Sequence, residues 1–398
     1  MVFPGQGSQS QGMQDDLAAD YKVVEETYSE ASEILGYDLW RLVQQGPADK
    51  LAETVVTQPA MLTAGYAAWL VWQEAGGGQP THMAGHSLGE YTALVCAGAI
   101  GFANALEIVK TRSELMQAAV PVGIGAMAAI IGLDDEAVCA VCDDASGIGV
   151  AEAVNFNSPG QVVIAGHKEA VDHAIERAEA VGARRAILLP VSVPSHSSLM
   201  VAAGEQLAEA LDAADFRSTD ITVINATDAT PYVDAADMRT RLSQQVYRPV
   251  QWVATIKAML AAGATSIVEC GPGKVLTGLV RRINRSTPVA TVDSPGGLQK
   301  ALQPKETSLV NYLPARRCRV RSHWLPVHRA ALAERSQVFL RRPAPRSSEL
   351  PQVAMARQAS PMLSATTAAE SYSILPMMNQ FRRRSRIFRA TKAARRLS

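Results

Sequence analysis

The sequence predicts an α/β protein: a parallel sheet covered by helices, with a smaller β-α-β-β-α-β unit inserted into it. Three observations predict it. Short β-rich apolar runs alternate with long helical patterns through residues 1–303. Residues 120–190 spell the six elements of the smaller unit in order. The chain has 398 residues, 47% of them hydrophobic, enough for a large core in one big domain or two smaller ones.

Val2-Phe3 reads as the end of a strand whose start is missing, which would shorten a central strand buried on both faces. Helical periodicity runs through residues 15–35, 58–75, 88–97 and 102–118. "GAMAAIIGL" (125–133) is a predicted strand, and "DDEAVCAVCDDA" (134–145) a helix with acidic residues in its first turn. "AVNFNSPGQVVIAG" (153–166) reads as two strands around an Asn-Ser-Pro-Gly turn. "KEAVDHAIERAEAVG" (168–182) is a helix ended by Gly, and "ARRAILLPVSVPSH" (183–196) returns as a strand. That order is the ferredoxin-like signature. "ITVINAT" (221–227) and "TSIVECGP" (265–272) are further buried strands.

A formal net charge of zero conceals two opposite halves. Residues 1–303 carry 19 Lys+Arg against 34 Asp+Glu, a net −15, and residues 304–398 carry 19 against 4, a net +15. So abrupt a shift marks a boundary near Gln303–Pro304. No apolar run of about 18 residues occurs, so no membrane span is read. "MVFPGQGSQSQGMQ" lacks a basic stretch followed by an apolar core and is no secretory signal. Five cysteines, an odd number at scattered spacing, fit the reducing cytoplasm better than a disulfide frame. Cys139 and Cys142 form C-x-x-C inside a predicted helix without a second ligand pair, and helix packing accounts for them better than zinc. "GPGK" (271–274) lacks P-loop spacing and reads as a strand-to-helix turn. No G-x-G-x-x-G follows a strand in residues 1–303, so neither a dinucleotide nor a metal cofactor is expected.

Gly85-His86-Ser87-Leu88-Gly89 is a G-x-S-x-G pattern between a short apolar strand end and a helix. This is the context of a nucleophile elbow, where a sharp turn exposes Oγ and crowding demands small neighbours. The plain alternative is a Gly-Ser turn without chemistry. A nucleophilic serine needs a base. Of seven histidines, His323 and His328 lie in the basic tail, and His167 and His173 in the inserted unit. His82 precedes the elbow, and His86 is expected to be turned away by it. His196 remains, in a loop just past an apolar strand. Arg112, in "VKTRSELMQ", follows on the next helix, and Met116 lies one turn on. Taken alone they read as a surface arginine and a core methionine.

Four separated motifs carry a resemblance: "FPGQGSQ" (3–9), "GHSLGEY" (85–91), "NFNSPGQVVIAG" (155–166) and "VPSHS" (193–197). "QQVYRPVQW" (244–252) and "GPGKVLTGL" (271–279) add to it. Over about residues 2–303 the chain resembles the malonyl-CoA:acyl carrier protein transacylases of bacterial fatty acid synthesis. The resemblance implies an α/β-hydrolase-like domain (1–118 and 191–303) with a ferredoxin-like subdomain (119–190). It implies a cytoplasmic monomer with malonyl-CoA and acyl carrier protein as partners, and neither nucleic acid nor membrane. Ser87 would become the acyl-enzyme and His196 its general base, with the amides of Gln6 and Leu88 as oxyanion hole. Arg112 would grip the malonyl carboxylate, since guanidinium binds carboxylate bidentately, and Met116 would line the pocket. The backbone carbonyl of Gln245 would orient His196, with Gln244 as the other register. Another extender such as methylmalonyl, or a hydrolase, is the alternative activity. Arg281, Arg282 and Arg285 either meet the acidic carrier or form a solvated basic face.

Residues 304–398 are expected to be a disordered basic arm or the product of a frameshift. "HWLPVHRAALAERS" (323–336), back-translated with permissible codons and read two nucleotides later, can spell "LVTGASRGIGRAI". That string resembles the opening of a ketoacyl-carrier-protein reductase, so the tail would be an out-of-frame reading of a neighbouring gene.

Overall fold

The computed structural model describes residues 1–191 and 193–303. The expectations for 304–398 lie outside the described residues. Among the described residues nine strands follow in chain order: β1 (Val2–Phe3), β2 (His82–Gly85), β3 (Gly125–Ile131), β4 (Ala151–Ser158), β5 (Gln161–His167), β6 (Arg185–Leu188), β7 (Thr222–Ile224), β8 (Ile267–Cys270) and β9 (Val289–Val292). They build two sheets. One is parallel, in the order β7-β2-β1-β8-β9; the other is antiparallel, in the order β4-β5-β3-β6.

β1 is two residues long yet central, with Val2 opposite Ala84 on one side and Glu269 on the other. Both of its side chains are fully buried, as a strand covered on two faces requires. The helices Thr54–Glu74, Gly89–Cys96 and Phe102–Ala119 supply much of the larger core. Thr54–Glu74 is buried on nearly every side, so its apolar residues show no stripe. Glu269 is buried on β8 and satisfied by the helix Val275–Ile283, accepting from Leu276 N at 3.0 Å and Thr277 N at 2.7 Å. A carboxylate at a helix N-terminus is stabilised by the unpaired amides there.

In the smaller sheet Ala126, Ala128 and Ile130 of β3 pack with Val162 and Ile164 of β5 under the helices Asp135–Asp144 and Lys168–Ala180. Cys142 joins this core while Cys139 is exposed. Met127 and Val163 take the opposite face, with Val154 and Ala165. Main-chain bonds tie β4 to the rest of the fold: Phe156 N donates to Val250 O (2.9 Å) and Val250 N to Val154 O (2.8 Å).

The structure corrects two sequence expectations. The helix predicted over 15–35 is two, Asp15–Asp20 and Val23–Leu35, because Tyr21 turns extended between them. The strand predicted over 183–196 covers only Arg185–Leu188. Pro190 and Pro194 have no N–H to give a ladder, so the chain leaves the sheet there.

The elbow follows β2 directly. Ser87 adopts φ 53°, and the helix Gly89–Cys96 starts two residues later. Crowding explains the flanking glycines: a Cβ on Gly85 would lie 1.8 Å from the Gly89 carbonyl carbon, and one on Gly89 2.1 Å from Phe3 O. A Cβ on Gly5 would meet His86 O at 2.4 Å, so the loop after β1 presses against the elbow. Gly85→Ala is expected to destabilise the fold by about 3 kcal/mol or more, since backbone rather than a movable side chain blocks the methyl. Urea unfolding of the variant beside the parent measures it; an unchanged midpoint would contradict the crowding.

Candidate active site

The loops after β1 and β2 meet at the carboxyl ends of their strands, where open parallel sheets hold ligands. A cavity of about 240 Å³ opens there, lined by Ser87, His196, Arg112, Gln6, Leu88 and Met116 among others. Residues that lie up to 190 positions apart in the chain thus share one wall.

His196 is buried, and its backbone takes φ 68°. Its Nε2 lies 2.7 Å from Ser87 Oγ, and its Nδ1 lies 2.8 Å from the Gln245 carbonyl and 3.2 Å from that of Arg248. With Nδ1–H donating to these carbonyls, Nε2 is left as the acceptor for the serine proton. The Gln244 carbonyl is engaged elsewhere, by Tyr247 N at 3.1 Å. Burial, then the charge of Arg112, push the imidazole down to about 3, so it is neutral at physiological pH. His86, expected to be turned away from Ser87, is among the residues that border the cavity. Its Nε2 is taken by Asn157 Oδ1 at 2.8 Å and its ring lies 5.4 Å from that of Trp252, so it faces a structural partner rather than Ser87.

Arg112, on the helix Phe102–Ala119, is 1% exposed. Nη1 donates to Gln58 Oε1; Nη2 donates to Gln245 Oε1 (3.0 Å) and Ser87 Oγ (3.3 Å). Its guanidinium carbon lies 5.5 Å from the Tyr91 ring centroid. Among the described residues no carboxylate lies within ion-pair distance of it. A buried cation held only by neutral acceptors beside a nucleophile is arranged for an anion yet to arrive. The N–H groups of Gln6 and Leu88 find no acceptor among the described residues and border the same cavity. Met116 lines it too, its Sδ accepting from Gln58 Nε2 at 3.5 Å.

Residues 1–318 match the acyl transferase domain family. The chain belongs to that family. It is 53% identical over 301 residues to the malonyl CoA-acyl carrier protein transacylase of Salmonella typhimurium, covering 76% of this chain and 97% of the relative. Among solved structures, a malonyl-transacylase in complex with its type II polyketide synthase acyl carrier protein is 51% identical (TM-score 0.75, covering 76% of this chain and 98% of that one). An acyl carrier protein S-malonyltransferase from Vibrio cholerae is 52% identical (TM-score 0.73, covering 75% and 98%).

In this acyl transferase, sequence reasoning passed over the residues that hold the site together. Glu90, fully buried in the elbow helix, accepts from Gln245 Nε2, Tyr232 OH and Asn225 Nδ2 (2.8 Å). Gln245 Nε2 also donates to Ser87 O at 3.0 Å. Glu90 therefore fixes the amide of the one residue whose two oxygens hold His196 and Arg112. Burial pushes its carboxyl up to about 7 although these three donors and the Ala226 N–H oppose the rise. The signal was there: an acid inside "GEYTALVCAGAI", otherwise an apolar helix. Gln58, inside the apolar "TVVTQPAML", is the same kind of signal. Glu90→Gln places an amide NH₂ among donors and is expected to destabilise by about 1–3 kcal/mol and to lower acyl transfer further than the lost folded fraction accounts for. Urea unfolding and turnover on the same preparation separate the two effects; a loss of stability alone would leave Glu90 without a role in alignment.

Proposed function

We propose that this chain transfers the malonyl group from malonyl-CoA to the phosphopantetheine thiol of acyl carrier protein, through a malonyl ester on Ser87. Ser87 Oγ attacks the thioester carbonyl while His196 Nε2 takes its proton. The oxyanion rests on the N–H groups of Gln6 and Leu88, aided by the helix that starts at Gly89. The carbon–sulfur bond breaks, and His196 returns the proton to the departing thiolate. The carrier's thiol then attacks the ester by the reverse path. Gln245 orients His196 through its carbonyl.

One observation carries the malonyl assignment: the buried, carboxylate-free Arg112 beside Ser87. An acyl group ending in a carboxylate supplies the missing anion, and a neutral acyl group leaves the cation unpaired. Binding also changes the base. Burial is the larger cause of the low His196 pKa and Arg112 the next; a substrate carboxylate on Arg112 offsets that charge, so His196 becomes more basic when the substrate is seated. The family membership and the three named relatives support the same donor and acceptor.

Segments 1–118 and 191–303 form an α/β-hydrolase-like acyltransferase domain around the parallel sheet, and 119–190 a ferredoxin-like subdomain that supplies one cavity wall through Met127 and Leu189. The β4-β5-β3-β6 order and the two helices on one face support the latter name.

Intact-protein mass after mixing with malonyl-CoA tests the proposal. A malonyl adduct discharged by acyl carrier protein supports it. Steady release of malonate without transfer would make the protein a hydrolase, and preferential loading of methylmalonyl would change the extender.

A further inference from the structure

The loop after β1, residues 4–9, is clamped at its ends and open in its middle. At its start a Cβ on Gly5 would meet His86 O at 2.4 Å, so main chain presses on main chain there. The turn after β8 closes on the same loop from elsewhere in the chain. A Cβ on Gly271 would lie 3.1 Å from the Pro4 ring, and one on Gly273 3.3 Å from Ser8 O. Pro4 and Ser8 are accordingly buried, whereas Gln6 between them is half-buried and Gly7 exposed. A Cβ on Gly7 would find no atom within 4 Å, so packing does not hold the tip of the loop.

Gln6 and Gly7 form a turn in which Gly7 takes φ 101°. A positive φ at the third of four turn residues marks type II, and rotation of the central peptide, here Gln6–Gly7, converts it to type I. Glycine makes that rotation at little steric cost. Among the described residues no backbone–backbone hydrogen bond engages residues 5–9. One side chain does hold the peptide: Gly7 N donates to Gln9 Oε1 at 2.7 Å. Gln9, like Gln6 and Gly7, borders the cavity that contains Ser87. The Gln6 N–H lies one peptide plane from the one that Gln9 pins.

We propose that Gln9 is a positioning residue for acyl transfer: its hydrogen bond to Gly7 N locks the tip of the loop and so aims the Gln6 amide at the oxyanion. The inference rests on the acyl-transfer reading above, which places the oxyanion on Gln6 and Leu88. Those two donors are held differently. Leu88 is 1% exposed and stands at the start of the elbow helix, so packing of that helix fixes its amide. Gln6 has no helix behind it. A donor stabilises developing charge in proportion to how well its direction is set beforehand, and here Gln9 sets it. Every step through the tetrahedral intermediate places the same charge on the same two amides. Loss of the lock therefore slows all of them by one common factor, whichever acyl group or thiol takes part.

The test uses the full chain with Gln9→Leu, which keeps most of the side-chain bulk and removes the acceptor. Acylation of Ser87 by malonyl-CoA should slow about tenfold or more, short of the roughly 10²- to 10³-fold that loss of an oxyanion donor costs. Acylation by acetyl-CoA and discharge by holo acyl carrier protein should slow by the same factor. The KM for malonyl-CoA and the urea midpoint should stay at the parent values. Exchange of the Gly7 amide hydrogen with solvent, followed by NMR, reads the bond itself and should be faster in the variant. Acylation at the parent rate would overturn the proposal, and so would unchanged Gly7 exchange. A loss confined to malonyl-CoA would make Gln9 a contact of the malonyl carboxylate instead, and a fall in urea midpoint that accounts for the whole loss would make it a purely structural residue. If the parent formed no adduct at all, the acyl-transfer reading would fail by itself. Gly7 exchange in parent and variant would then still decide whether Gln9 holds the loop.

Discussion

Mixed with malonyl-CoA, the Ser87→Ala protein is expected to keep its unmodified mass while the parent gains one malonyl group. The substitution removes only Oγ, the atom that Nε2 of His196 contacts at 2.7 Å. Alanine accepts the φ of 53° at the elbow at about the cost serine already bears. The fold should therefore survive, and the same urea midpoint in both proteins checks that. Turnover should fall by on the order of 10⁴-fold or more, the range seen when a catalytic serine is removed from a preorganised site. What remains would come from the Gln6 and Leu88 amides and from binding. An adduct on the variant would place the nucleophile elsewhere and end the assignment of Ser87.

Arg112→Gln is expected to lose malonyl transfer and to gain, in relative terms, transfer of a neutral acyl group such as acetyl. Removing one member of a buried charged pair costs about 2–5 kcal/mol, which is roughly 30- to 4,000-fold in the specificity constant. Gln58 and Gln245 would keep a hydrogen-bond donor between them in place of the guanidinium, so the wall need not collapse. The change also predicts a pH effect with a definite sign. In the parent His196 is held down to about 3, with Arg112 among the causes. Without that cation the imidazole pKa moves back up toward the ordinary histidine value. The acid limb of acylation by acetyl-CoA should therefore lie well below pH 6.5 in the parent and at higher pH in the variant. Rates from pH 4 to 8 on both proteins measure it. A limb that does not move, or a variant that keeps its preference for malonyl over acetyl, would detach Arg112 from the acyl group.

Much of the architecture was legible because it depends on local pattern. The two strands around Asn-Ser-Pro-Gly and the helices Asp135–Asp144 and Lys168–Ala180 follow from alternation, caps and turn residues. The misjudged elements have no such local sign. Nothing periodic marks the break at Tyr21, and the apolar run 183–196 looks like a strand until its prolines are set against a neighbour that needs N–H donors.

By itself the sequence determined which groups are present and how the elbow must be built: a serine flanked by glycines between strand and helix, a histidine just past an apolar segment, an arginine on the next helix. It could not say that Glu90 anchors Gln245, which touches all three. The resemblance assigned the Gln245 carbonyl to His196; tertiary structure alone decided that the side chain of Gln245 would accept from Arg112 and donate to Ser87 and Glu90, and that Arg112 would be buried without a carboxylate. The reason is physical. Charge and hydrogen-bonding capacity belong to a residue, but desolvation and the partner that compensates it come from segments 49 to 158 positions away, and only packing brings them together.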